Sequence, residues 1–501
     1  MIDRQSSLSG PPSSSGSRAA TEGADDLWYL VYFVHRLLDF RLPDVEAVAS
    51  SVGVPVGRVA WRQPFGDEFM SPCWYIRLPS DAVVQQVAER SMLTRGFMEV
   101  WGEGSTWEEL TTSIEACPAA IKAPWLANDK LAFKVHVESY GCKIPEAEKV
   151  AMIRKLAFIP FMGPVSLKAP DVVFWLIVCK PSENLGIADS VPDRLYFGRQ
   201  VAQSDRSRIG QYTLSQRAYI GPTSMDTEMA FLMANMGKVR PGHLVLDPYA
   251  GTGSCMVAAA VFGAQVMGTD IDIRVISHGK PDKKSGAPLD VFSNFEQYGL
   301  TPRLAGLLRM DCHINALRPG LEEIFHAVIG DPPYGVRAGG RKSAPKEVTI
   351  RDRDTYIPST QPYAMGECLR DLLDLSARLL VPGGRLVYFF PASLDDYDES
   401  EVPTHPALAF VANSLQLLNT RYCRRLVTME KVRPYDAEAA AAHHAAVGDA
   451  VLSIDNLHDV VYEERDKRDE RREGGGGGEG AGEGGSGAAR HSKHRFRSKV
   501  A

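Results

Sequence analysis

His243-Leu244-Val245-Leu246-Asp247-Pro248-Tyr249-Ala250-Gly251-Thr252-Gly253 decides the fold. An apolar run of strand length ends in an acid and opens into a glycine loop. Residues 254–262 then take up helical spacing. The same rhythm repeats outward. Strands are expected at 243–246, 265–269, 304–310, 327–330, 385–390 and 424–429, and helices at 226–236, 254–262 and 362–380. Strand, helix, strand at this spacing predicts a doubly wound α/β sheet over residues 216–460.

Open sheets of this kind bind ligands outside the carboxyl ends of their strands. Three successive expected strands end in acids. Asp247 leads into Gly251 and Gly253, where a ligand can approach the backbone without meeting a Cβ. Met256 stands where a dinucleotide fingerprint requires a third glycine, so a pyrophosphate is disfavoured. The second strand closes in Gly268-Thr269-Asp270-Ile271-Asp272. Asp270 follows the strand directly and is the expected acceptor for a ribose diol, with Asp272 as the alternative or as a cap for the next helix. The third strand ends in Asp311-Cys312, and Asp311 is a candidate acceptor for an adenine amino group.

Downstream, Ala327-Val328-Ile329-Gly330 runs into Asp331-Pro332-Pro333-Tyr334-Gly335. Two consecutive prolines remove two N–H donors and hold the backbone extended. Asp331 and the Pro332 carbonyl are then placed to accept the two hydrogens of an exocyclic base amine. That draws the nitrogen toward tetrahedral geometry and aims its lone pair at an electrophile. Tyr334 offers a flat face for an extruded base. With the glycine loop three strands earlier, the motif implies methyl transfer from S-adenosyl-L-methionine to such an amine. Arg337, Arg341 and Lys342 follow in a glycine-rich loop, as candidate contacts to RNA phosphates or as a loop with no contact.

The chain has 501 residues, too many for one ordinary core. Its 44% hydrophobic content is that of a globular protein, and its net charge of -6 does not describe a cationic sleeve for nucleic acid. The eight cysteines stand at 73, 117, 142, 179, 255, 312, 368 and 423 without C-x-x-C spacing, so no metal site is expected. Thiols of this kind fit a reducing compartment, and the cytoplasm is expected. No apolar stretch reaches the ~18 residues of a membrane span.

Residues 1–26 read as a disordered leader and 461–501 as a disordered Gly/Glu tail with a basic tip. Between 27 and 182, short strands and helices alternate as small α+β units. Residues 183–215, with Arg194, Arg199, Arg206 and Arg208, read as a charged linker. Those arginines serve either internal salt bridges or a phosphate-facing surface.

Several motifs together resemble one family: Gly221-Pro222-Thr223-Ser224-Met225-Asp226, Met233-Ala234-Asn235, the glycine loop, Gly268-Thr269-Asp270-Ile271-Asp272, Asp331 to Arg337, and the early His35-Arg36-Leu37-Leu38-Asp39-Phe40-Arg41-Leu42-Pro43. The family is the catalytic subunit of eukaryotic tRNA guanosine-10 N2-methyltransferases. The likeness implies a class I, Rossmann-like methyltransferase domain, preceded by a ferredoxin-like region (27–95) and a THUMP domain (96–182) that measures the tRNA acceptor end. It also implies tRNA as substrate and a small zinc-binding activator subunit as partner. The expected edge strand at 304–310 is apolar, and a partner strand would cover it.

The D-P-P-Y motif also serves DNA adenine and, as a variant, protein glutamine methylation, and an rRNA base amine is a further substrate class. A non-enzymatic RNA-binding scaffold with a methyltransferase fold is the other alternative. The intact Asp331, Gly251, Gly253 and Asp270 argue against the scaffold.

Overall fold

The computed structural model describes residues 27–63, 71–180, 193–282, 285–314, 316–318, 320–333, 340–344, 360–394, 397–419 and 422–447. Tyr334 and Arg337, the leader at 1–26 and the tail at 461–501 lie outside the described residues.

The first part of the chain supplies strands β1 (Leu27–Phe33), β2 (Ala60–Arg62), β3 (Cys73–Leu78), β4 (Thr94–Gly104), β5 (Phe133–Tyr140), β6 (Val172–Cys179) and β7 (Arg194–Gln203). Helices α1 (Arg41–Ser51), α2 (Asp81–Arg90), α3 (Trp107–Ala116), α4 (Ala119–Leu126) and α5 (Glu146–Lys155) lie between them. The seven strands make one continuous sheet in the order β2-β3-β1-β4-β7-β6-β5. β4 binds the halves together: its first residues pair with β1, and Gly96 to Gly104 pair with β7. It runs through 95 and 96 without a break, so the two α+β units expected on either side of that point share a strand.

β7 occupies a segment read from sequence as part of a linker. Leu195, Tyr196 and Phe197 are buried there, and the strand pairs antiparallel to both β4 and β6. The arginines are internal: Arg199 bonds Glu99 at 2.8 Å and Asp81 at 2.7 Å, and Arg206 bonds Glu228 at 2.7 Å. Ser80 caps α2, accepting from the Val83 amide.

α6 (Ser207–Gln211) and α7 (Thr227–Met236) lead into the second sheet, with Asp226 capping α7 through the Glu228 and Met229 amides. The elements that follow, in chain order, are β8 (Leu244–Asp247), α8 (Ser254–Val261), β9 (Gln265–Asp270), the ribbon β10 (Lys280–Pro281) and β11 (Pro288–Leu289), α9 (Val291–Gln297), β12 (Leu304–Arg309), β13 (Phe325–Gly330), the ribbon β14 (Arg341–Ser343) and β15 (Thr360–Pro362), α10 (Met365–Leu379), β16 (Leu380–Ser393), β17 (Leu408–Leu417), β18 (Tyr422–Lys431) and α11 (Ala437–Val447). The sheet order is β12-β9-β8-β13-β16-β18-β17. β12, β9, β8, β13 and β16 are parallel neighbours, whereas β18 runs antiparallel to both β16 and β17. This is a doubly wound α/β sheet with a reversed penultimate strand.

One apolar core lies under α7 and α8, and a second under α10. The first also takes in Val34, Phe40, Ala47, Met92 and Leu93, so the N-terminal module packs directly on the C-terminal one. α7 is buried on all sides because it lies at that junction. Its polar residues are partnered across it: Glu228 with Arg36 and Arg206, and Asn235 with Asp44 and Arg90. Among the described residues, no helix is long and apolar enough to cross a membrane.

Candidate methyl-transfer site

The strand order reverses between β8 and β13, which leaves a crevice at their carboxyl ends. Asp247 ends β8, and Asp331 follows β13 on the other side of that crevice. The glycine loop leaves β8 and turns into α8 through Gly253, whose φ of 81° is left-handed and suits glycine. A hydrogen-bond web holds the loop. Ser224 Oγ meets Thr252 Oγ1 at 2.7 Å, Asn294 Nδ2 donates to the Thr252 carbonyl at 3.0 Å, and Arg217 Nη1 donates to Ser254 Oγ at 2.6 Å. The Gly221–Asp226 motif thus braces the glycine loop directly.

Met256, at the place of the missing third glycine, packs against β9. A Cβ added at Gly268 would lie 2.5 Å from Met256 Sδ and 2.9 Å from Ala250 Cβ. The glycine that permits close helix–strand approach is on the strand here, and the helix supplies the bulky partner.

Asp247 is 3% exposed. Burial, reinforced by the charges of Asp270 and Asp331, pushes its carboxyl up to about 8. Asp270 is likewise raised, chiefly by burial. Its oxygens accept from the amides of Gly251 at 3.0 Å and Asp272 at 2.8 Å. A carboxylate has about four acceptor sites, so capacity remains for a diol hydroxyl. Asp272 pairs with Arg274 and lies below the usual carboxylate range through that bond. Asp311 accepts from the amides of His313 at 3.0 Å and Ser343 at 2.6 Å, fastening the β14 ribbon to the tip of β12.

Acids raised chiefly by burial, and facing one another across the crevice, form a site that favours a cation. S-adenosyl-L-methionine carries an ammonium and a sulfonium beside a ribose diol, and this donor set fits it.

Asp331 has a partner that sequence reasoning missed. Arg424 Nη1, from β18, donates to Asp331 Oδ2 at 3.3 Å. Pro332 is buried beside it. Of the basic candidates beyond the motif, Arg341 donates to the Thr360 carbonyl at 2.9 Å, and Lys342 binds Glu367.

A family model described as the Tmrp11 THUMP N-terminal domain matches residues 27–206, ending just after β7. The chain is 34% identical over 432 residues to tRNA (guanine(10)-N(2))-methyltransferase TRMT11 of Homo sapiens, covering 83% of this chain and 90% of that one. With the TRMT11 of Dictyostelium discoideum it is 34% identical over 433 residues, covering 81% and 83%. The chain belongs to the TRMT11 family. The solved TrmN of Thermus thermophilus is similar at 18% identity and a TM-score of 0.38, over 81% of this chain and all of that one.

Within this TRMT11 family member, the crevice brings together Asp247, Asp270, Asp331 and the glycine loop. Asp311 stands beside them with its carboxylate on backbone amides. Pairing between Asp331 and Arg424 had no sequence signal, since 93 positions separate them.

Proposed function

We propose that this protein transfers a methyl group from S-adenosyl-L-methionine to the exocyclic N2 amine of guanosine 10 in tRNA. The observation that carries the reading is Asp331, held at the crevice edge opposite the Asp247 and Asp270 carboxylates. The relatives' names supply the base, the atom and the nucleic acid.

When bound, S-adenosyl-L-methionine supplies an electrophilic methyl on a positively charged sulfur. Asp247 lies where it can take the charge of the amino group, and Asp270 where it can accept from the ribose. Asp331 Oδ accepts one hydrogen of the guanine amine and the Pro332 carbonyl accepts the other. The amine lone pair, otherwise delocalised into the ring, is thereby localised and aimed. Asp331 can also accept the proton that the amine sheds after transfer. Tyr334 is the proposed stacking platform, and Arg337, Arg341 and Lys342 are proposed to meet tRNA phosphates.

We further propose that the chain is the catalytic member of a pair with a small zinc-binding activator, in the cytoplasm. β12 is the edge strand of its sheet. Leu304 and Leu307 pack inward, while Leu308 is 43% exposed. An apolar edge with unpaired backbone groups suits an added strand.

The test is incubation of the full chain, with and without the activator, with unmodified tRNA and labelled S-adenosyl-L-methionine. N2-methylguanosine in the nucleoside digest is expected. Label on adenosine, or no tRNA label with both subunits present, overturns the reading.

A further inference from the structure

Asp311 is aimed by two short segments, and one helix holds both. Its side chain accepts from two backbone amides, His313 at 3.0 Å on Oδ1 and Ser343 at 2.6 Å on Oδ2. Neither amide belongs to a helix or a central strand. His313 lies in the turn after β12, and Ser343 ends β14, one side of a ribbon with three residues in each strand. A two-stranded ribbon of that size is marginal by itself. The direction of the Asp311 carboxylate therefore depends on what anchors these segments.

Both anchors stand on one face of α10, where Glu367 and Asp371 are one turn apart. Lys342, next to Ser343, binds Glu367. His313 Nδ1 meets Asp371 Oδ2 at 2.8 Å. Tyr363, the residue after β15, donates its hydroxyl to the same Asp371 oxygen and its amide to the Gly340 carbonyl at 2.9 Å. Its ring lies against both segments. It meets the His313 ring edge-on with centres 5.7 Å apart, and the Lys342 ammonium is 5.6 Å from its centre. α10 itself is fixed, with Leu369, Leu372 and Leu373 buried in the core beside β13 and β16.

We propose that Glu367 and Asp371 are positioning residues for the adenine end of S-adenosyl-L-methionine: they hold the Ser343 and His313 segments so that Asp311 keeps an oxygen lone pair directed at the adenine amino group. The inference rests on the cofactor reading above, with Asp311 as the acceptor for that amino group. Two amides fill about half of the acceptor capacity of a carboxylate, which leaves room for the amine. Each amide takes a different oxygen, so together they fix the plane of the group. Slack in either segment lets that plane turn, and a hydrogen bond weakens steeply as its angle is lost. The two acids act through Asp311 and do not touch the ligand themselves.

The test measures, by calorimetry on the full chain, binding of S-adenosyl-L-methionine and of its purine analogue, which carries C–H where adenine has the amino group. Wild-type protein is expected to prefer the adenine form by about 10–100-fold, the worth of a hydrogen bond to a charged acceptor. Asp371→Leu removes the acceptor shared by His313 and Tyr363. It is expected to cut the preference to about threefold or less, through weaker binding of the adenine form alone. Asp371→Asn retains an acceptor oxygen and is expected to keep most of the preference. Should Asp371→Leu fail to fold, Glu367→Leu answers the same question through the Ser343 segment. Equal affinity of wild type for the two ligands overturns the proposal without recourse to any variant. So does a leucine variant that keeps the full preference, or one that binds both ligands more weakly by the same factor, which is what a purely structural role gives. Failure of wild type to bind S-adenosyl-L-methionine at all is a separate result, and overturns the cofactor reading itself.

Discussion

Asn235 Nδ2, in the buried helix α7, donates to Asp44 Oδ1 at 2.7 Å across the junction of the two modules. Asp44 is fully buried, and also accepts from Ser91 Oγ at 2.6 Å and the Met92 amide at 3.0 Å. The bond is one of several that join the N-terminal module to the methyltransferase module. Asn235→Leu keeps the volume and strips a buried acceptor of a partner, so a loss of about 1–3 kcal/mol is expected. Denaturant unfolding measures it, and an unchanged midpoint would show that the junction does not depend on this bond.

Asp331→Ala is expected to lower turnover by about 10²–10⁴-fold, the usual contribution of a positioned proton acceptor. Binding of S-adenosyl-L-methionine, followed by calorimetry, is expected to survive. Near-normal turnover would remove Asp331 from the mechanism.

Asp247 links cofactor binding to pH. Its native carboxyl lies at about 8 against an ordinary 3.8, so between those values the folded state holds a proton that the unfolded state has released. Stability of the ligand-free protein therefore falls as pH rises through that window. A cationic ligand favours the ionised form, so affinity moves the other way. It is expected to rise by up to about tenfold per unit from about pH 6 to about pH 8. Asp247→Asn should bind more weakly and flatten the profile. A wild-type affinity that does not vary with pH would refute the link.

Gly268→Ala would push a methyl into Met256 Sδ and Ala250 Cβ. Both belong to the glycine loop and its helix, so the strain lands on the cofactor site. A stability loss of about 1–3 kcal/mol is expected, with weaker cofactor binding. Pairing it with Met256→Ala should restore part of both, and a double variant no better than the single one would place the strain elsewhere.

Leu308→Glu puts a charge on the exposed face of the edge strand β12. Affinity for the activator should drop about tenfold or more if this edge is its seat. Undiminished co-purification at matched solubility would move the interface away from β12.

Most of the second sheet was legible because its strands are apolar runs ending in acids and glycines. β8, β9, β12, β13, β16 and β18 all lie where that pattern put them, within a few residues at their ends. β7 was not legible. Arg194 and Arg199 made it look like a solvated connector, although Leu195, Tyr196 and Phe197 between them carried the signal of a buried strand. Arg199 is neutralised by Asp81 and Glu99, acids that are remote in sequence. β17 escaped for a similar reason: Phe410 and Val411 are exposed, so the apolar pattern does not track a buried face. In the site, Asp331 stood out through its prolines, whereas Arg424 lies in an ordinary strand and acquires meaning from the tip of another.

β7 comes last in its module but sits in the middle of the sheet, between β4 and β6. On the ribosome, a nascent chain that has emerged only as far as Cys179 holds two half-sheets with a gap between them. Neither edge can be sealed until Arg194–Gln203 has cleared the exit tunnel and slotted in, with the first turns of the methyltransferase domain close behind. The N-terminal module therefore closes late in synthesis, as its C-terminal neighbour begins to appear.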